Sequence, residues 1–252
     1  MADDSRAIRA GAAARLAEES GDARSALAAL VEVASADPAS QGLAGRLLDQ
    51  ALLAGDLRRA TEAANRMWLA GEQRFDARIV LLVDAMRRAD WRAARSFSGD
   101  STARGGVDLS ARLVSPVVLG WIDVAQREAA PDRHLARFGR MGDDPTPQWL
   151  GAAMLLLAGN ADEARARAAA LRPVNRTSQH VAGRLAASFA KRGDAATAAL
   201  LRTSLVTAKA GRELRVQPEA APIADARQGT ALWFAMLGDG FARTPNSSKE
   251  LA

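Results

Sequence analysis

His134 and His180 are the only imidazoles in this 252-residue chain, and cysteine is absent. Neither histidine has a ligand-type partner three or four residues further on, so the helical spacing that would gather a metal ion, or a base for a nucleophile, is missing. Without cysteine there are no disulfides, no thiolate nucleophile and no Cys-containing zinc site. No phosphate-binding Gly-x-x-x-x-Gly-Lys loop, dinucleotide fingerprint or Gly-x-Ser-x-Gly elbow occurs. Gly99-Asp100 with Gly105-Gly106 makes a flexible loop but lacks the lysine that would hold a phosphate. The adjacent acids Glu18-Glu19, Asp143-Asp144 and Asp162-Glu163 point in different directions on a helix or turn, so they do not form a facing carboxylate pair. Asn175-Arg176-Thr177 and Asn246-Ser247-Ser248 match a glycosylation acceptor, which carries no weight without a secretion signal. No catalytic, cofactor-binding or metal-binding residue is expected, and the chain is read as a non-enzyme.

The functional residues then have to be surface residues, and charge is the first place to look. The formal charge is +5 and the pI about 10.7. Lys191, Lys209 and Lys249 are the only lysines, so arginine supplies the rest of the 34 basic residues, interspersed with 29 acids. An arginine- and alanine-rich chain of this kind is what a GC-rich coding sequence produces, and it predicts a solvated, mixed-sign helix surface. Nucleic acid or an acidic partner bound along an arginine-rich face is the alternative. That alternative needs Arg58-Arg59, Arg87-Arg88 and Arg165 with Arg167 to form one basic stripe. Met1 to Ser20 has no apolar core of a signal peptide, and no run approaches 18 apolar residues, so no membrane span and a cytoplasmic location are expected.

What positions any such surface is a repeat. Asp22, Asp56 and Asp90 stand 34 residues apart, each after a glycine or alanine, and Gly159-Asn160 and Gly193-Asp194 are again 34 apart. Between Asp90 and Asn160 lies room for one irregular unit, placed at Leu109 to Gly142. Four positions after each Asp or Asn stands an alanine: Ala26, Ala60, Ala94, Ala164 and Ala198. Glycine ends a first helix in the left-handed conformation, the following Asp or Asn caps a second helix, and the alanine lets two helices cross closely. One such hairpin cannot bury its apolar face alone, so neighbours must stack.

The 34-residue period, Gly-Asp turn, early alanine and closing Asp37-Pro38 resemble the tetratricopeptide repeat, over roughly Ser5 to Ala208. The pattern is also similar to the N-terminal part of uncharacterised repeat proteins of alphaproteobacteria. This chain departs from the family where its large first-helix residue is replaced by Ala10, Ala44 and Arg78. It departs again where the first-helix glycine is replaced by Ala14, Leu48, Leu82, Ala152 and Ala186. The resemblance implies an all-α, right-handed superhelical solenoid of antiparallel hairpins whose first helices line a concave, peptide-binding groove. It places Arg15, Asp49, Leu52, Asp76, Ile79, Val83, Met86, Trp149, Ala153 and Leu156 among the groove positions, together with Ile8, Gly11, Glu18, Gly45 and His180. The family's carboxylate clamp is absent, since Gly11, Arg15 and Arg46 stand at the matching places.

First helices are expected near 5–20, 40–54, 75–88, 109–128, 146–158 and 177–192. Second helices are expected near 22–36, 56–70, 90–98, 132–140, 160–171 and 194–209. Residues 5–208 are read as the array, 209–228 as a linker with Pro218 and Pro222, and 229–243 as a helix capping the array's open end. Trp68, Trp91 and Trp121 are assigned to packing between hairpins. The apolar face of the last helix, with Trp233, Phe234, Leu237 and Phe241, is a candidate for self-association. The expected function is a non-catalytic scaffold for a protein or peptide.

Overall fold

The computed structural model describes residues 2–37, 42–72, 74–98, 113–140, 144–209 and 220–243, and every regular element among them is a helix. Pro38, the Gly99 to Asp108 loop, Asp143, residues 210–219 of the expected linker including Pro218, and the tail from Thr244 lie outside the described residues. The chain divides into two compact units, Met1–Phe97 and Ser98–Ala252.

In the first unit, α1 (Ala2–Ser20), α2 (Ala23–Ala36), α3 (Leu43–Leu53), α4 (Leu57–Leu69), α5 (Phe75–Arg87) and α6 (Trp91–Ser98) follow the expected boundaries closely. Each of α1 to α4 packs on the next. Leu27, Leu30, Leu47, Leu48, Met67, Val80 and Leu81 build the core, with Ala14, Ala51, Ala60, Ala63 and Ala64 filling the close approaches. The second unit holds α7 (Ser115–Gln126), a 3-10 segment (Pro131–Arg140), α8 (Thr146–Ala158), α9 (Ala161–Ala170), α10 (Arg176–Lys191), α11 (Ala195–Lys209) and α12 (Ala226–Arg243). Here successive first helices touch directly, α7 on α8 and α8 on α10. Gly120 permits the first of these contacts, because a Cβ there would stand 2.6 Å from Met154 Sδ and 2.8 Å from the Pro131 carbonyl.

The turns follow from local chemistry. The backbone N–H groups of Asp22, Asp56, Asp90, Asn160 and Asp194 donate to the carbonyls of Ala17, Ala51, Ala85, Leu155 and Phe189. This six-residue closure satisfies the end of a first helix. It needs a left-handed residue, and Gly21, Gly55, Gly159 and Gly193 supply it. The carboxylates of Asp22, Asp56, Asp90 and Asp194 then accept from the N–H groups of Ser25, Arg59, Ala93 and Thr197. Asn160 departs from the pattern: its Nδ2 donates to the Ala129 carbonyl instead. Asn175 is the N-cap of α10, in a reciprocal pair with Ser178. All five alanines four positions after the cap are fully buried, and the five residues that replace the first-helix glycine are core as well.

Ala89 takes the left-handed conformation, with φ of 57°, at the place where Gly21, Gly55, Gly159 and Gly193 stand in their turns. A Cβ is strained there, so Ala89→Gly is expected to stabilise the first unit by about 0.5–1 kcal/mol. The readout is a higher urea midpoint at unchanged m value, and an unmoved or lower midpoint would refute it.

The irregular fourth hairpin differs from expectation. Its turn is made by Arg127, at φ 60°, and Glu128, whose N–H donates to the Asp123 carbonyl. Its second element is a 3-10 segment rather than an α-helix. A three-residue period stacks Asp132, Leu135 and Phe138 on one side. Leu135 and Phe138 are buried and Asp132 pairs with Arg167. The last helix, expected to cap the open end of the array, packs chiefly on α7, about a hundred residues upstream.

Candidate partner-binding surface

In the first unit, charged side chains bridge α1 to α3 and α3 to the start of α5, beside the apolar cluster that the same helices share. Arg46 on α3 donates to both oxygens of Glu18 on α1, at 3.2 and 2.8 Å. Arg74, at the start of α5, donates to Asp49 of α3 at 2.5 Å and to Asp76 at 3.0 Å, with a second, shorter bond to the other Asp76 oxygen. Gly45 makes this possible, because a Cβ there would meet the Arg74 guanidinium at 3.0 Å. The bonds from Asp76 and then Asp49 raise the Arg74 pKa above its ordinary value. For Asp76, burial alone would raise the pKa, but the bonds from Arg74 and from the Ala77 N–H carry it below the usual carboxylate value. These partners keep contact with solvent, so each pair contributes little by itself and chiefly fixes geometry.

The lowered Asp76 pKa has a pH consequence of definite sign. The folded value lies below the unfolded one, so the stabilisation is full above the ordinary carboxylate pKa. It fades as pH falls through the folded value. Asp76→Asn is expected to flatten the fall in urea midpoint between about pH 5 and about pH 2. A pH profile parallel to that of the wild type would refute this.

The positions implied by the family resemblance are placed unevenly. In the first unit Arg15 is exposed, Leu52 is 40% exposed, and Asp49, Asp76, Ile79 and Val83 are half-buried. Ile8 adds a largely exposed apolar side chain on α1. Met86, by contrast, is buried. In the second unit Trp149, Ala153 and Leu156 are fully buried, because α8 is covered by α7, the 3-10 segment, α9 and α10. These four residues therefore offer no open surface. The structure brings Asp49 and Asp76 together through Arg74, which the sequence reading did not single out. A signal was present in the charges: Glu18 with Arg46 and Asp49 with Arg74 are opposite pairs spaced 28 and 25 residues apart, each joining one first helix to the next.

The arginines of the supposed basic stripe are engaged by acids. Arg58 pairs with Glu62, Arg59 with Asp56, and Arg87 and Arg88 with Asp84. Arg165 pairs with Asp162 and Asp194, and Arg167 with Glu163 and Asp132. The charge is matched at the first and third runs, whereas Arg87 and Arg88 share the single carboxylate of Asp84.

The histidines divide. His180 stays in contact with solvent and accepts from Arg184 Nε at 3.3 Å. Burial, then the charges of Arg184 and Arg176, hold its pKa below the ordinary imidazole value. His134 has a partner after all: its Nε2 lies 2.8 Å from Asp123 Oδ2, which Arg133 also reaches at 3.0 Å. Asp123 is fully buried in α7. Among the described residues no three metal-ligating side chains gather at one place, and no helix is long and apolar enough to cross a membrane.

Of the three tryptophans assigned to packing, Trp121 is fully buried and Trp91 half-buried. Trp68 remains 39% exposed while meeting Phe97 edge-on at 5.2 Å. Trp233 is buried within the second unit, so it is not an exposed patch. Its Nε1 donates to the Leu113 carbonyl at 3.0 Å, and its ring meets Phe138 edge-on.

The class these observations define is an all-helical protein of packed adjacent helix pairs with a repeated capped turn. No family model, curated protein or solved structure matches the chain.

Proposed function

We propose that the chain is a non-catalytic scaffold of the tetratricopeptide type, a right-handed superhelical array that holds a protein or peptide segment on the first-helix face of its N-terminal unit. The observation that carries the reading is the row of first helices bridged by Glu18–Arg46 and Asp49–Arg74, with Arg15, Leu52 and Ile8 exposed on the same helices. Such a surface suits a segment that offers an apolar side chain to Leu52 and a carboxylate to Arg15. A few anchor contacts of this kind set affinity on a repeat surface. The acid partners of the arginine runs weigh against a nucleic-acid stripe.

The test is affinity capture by wild type and by the Arg15→Glu and Leu52→Arg variants, at low and high salt, with each variant's helicity checked by circular dichroism. The reading expects one protein captured by wild type and lost with both variants. Capture indifferent to both substitutions, and abolished by nuclease or salt, would overturn it in favour of nucleic acid.

A further inference from the structure

We propose that the face of α7 around Trp121 is a helix-binding site which α12 fills within one chain, and that two copies of this chain can associate by exchanging α12 across it. Ala226, Gly229, Thr230 and Trp233 form a stripe at positions i, i+3, i+4 and i+7 of α12, all buried, which is the spacing of a single helical face. Gly229 lies directly on the Trp121 indole, leaving no room for a Cβ. Trp233 is held by the Leu113 carbonyl and by Phe138. Leading into this helix, the Ile223 N–H donates to Ser188 Oγ of α10 at 2.9 Å. The contact thus has the form of a bound amphipathic helix: small residues over one indole, with a second indole inserted one turn later.

Three features mark α12 as exchangeable rather than fixed. Each other α-helix from α7 to α11 packs on the element next to it in its hairpin, whereas α12 packs chiefly on α7. The seam is incompletely satisfied, since Trp121 Nε1 and Thr230 Oγ1 are both buried without a hydrogen-bond partner. Finally, α12 is intrinsically weak, with Gly229, Gly238 and Gly240 in an 18-residue helix. The occupant is a second copy because the stripe that fits Trp121 is this chain's own, and trading an identical element creates an interface without a new surface. Surface self-association through Trp233 is not available, because that side chain is buried. The inference concerns the second unit alone and does not depend on the peptide-binding reading, so Arg15 and Leu52 variants leave it untouched.

The test uses two full-length variants. Gly229→Leu keeps an unaltered α7 face but carries an α12 that cannot seat, while Trp121→Leu keeps an unaltered α12 but spoils the face. Neither variant can form a good seam alone, whereas a mixture can form one. Light scattering and sedimentation are expected to show each variant as a monomer and the mixture as a one-to-one dimer, with the wild-type dimer fraction rising over about a hundredfold range of concentration. A mixture of folded variants that stays monomeric would overturn the proposal. Because either variant could unfold, hydrogen exchange on the wild type provides a second readout. The α12 amides are expected to exchange at least about tenfold faster than those of α7 to α10. Exchange of α12 only with global unfolding of the second unit would overturn the proposal as firmly.

Discussion

Trp149→Ala is expected to lower the stability of the second unit by about 3 kcal/mol, the lower end of the range for removing a fully buried indole. The side chain has no exposed surface, and Leu150, Ala152, Ala153, Met154, Leu155 and Leu156 around it on α8 are equally buried. A cavity of indole size among so many neighbours from four elements cannot collapse cheaply. The lower end applies because Trp149 Nε1 is buried without a partner. Deleting it releases a desolvation penalty of about 1–3 kcal/mol. The same reasoning separates two substitutions. Trp149→Phe keeps most of the ring volume and drops the unpaired N–H, so it should cost less than about 1.5 kcal/mol. Urea unfolding followed by circular dichroism checks both. A loss below about 1 kcal/mol for the alanine variant would mean that the indole is not a core residue, and the groove position implied by the family resemblance would return.

That residue also shows where the sequence was legible and where it was not. Helix limits and turns came through because their causes are local. A left-handed glycine, a carboxylate three residues before the N–H it accepts from, and an alanine at a helix crossing all act within a few residues. Asp22, Asp56, Asp90 and Asp194 all cap as their spacing implies. The fourth hairpin obscured its turn because Arg127 takes the left-handed conformation usually left to glycine. Its 3-10 segment follows a period of three that a search for amphipathic α-helices passes over.

The site was less legible for a different reason. Which face of a first helix meets solvent depends on what covers it, and a cover is a tertiary fact. Ile79 and Trp149 occupy equivalent places in their repeats, yet one is half-buried and the other lies in the core. The seat of α12 on α7 is non-local in the same way. Nothing in the stripe Ala226, Gly229, Thr230 and Trp233 says which indole it will lie against. The ion pairs joining first helices form an intermediate case: opposite charges on successive first helices suggest bridges, but Gly45 is needed to see that Arg74 has room to cross.

Asp123→Ala is expected to cost about 3 kcal/mol, because it breaks a buried, doubly bonded carboxylate. Asp123 has no exposed surface and accepts from Arg133 Nη2 and His134 Nε2. The low end of the range for a broken buried pair applies, because the Arg133 side chain is 54% exposed and can rehydrate once its partner is gone. His134 is 21% exposed and has less recourse to water. A double-mutant cycle should therefore give a larger coupling for Asp123 with His134 than with Arg133. Asp123→Asn, which keeps the volume and one acceptor, should lose roughly half as much as the alanine variant. The consequence extends beyond α7. The pairs tie the 3-10 segment to α7, and Phe138 in that segment meets Trp233 of α12. Loosening the segment should release α12 as well, seen as faster exchange of the α12 amides in Asp123→Ala than in wild type. A destabilised variant whose α12 remained as protected as α10 would show that the segment and the helix are held independently.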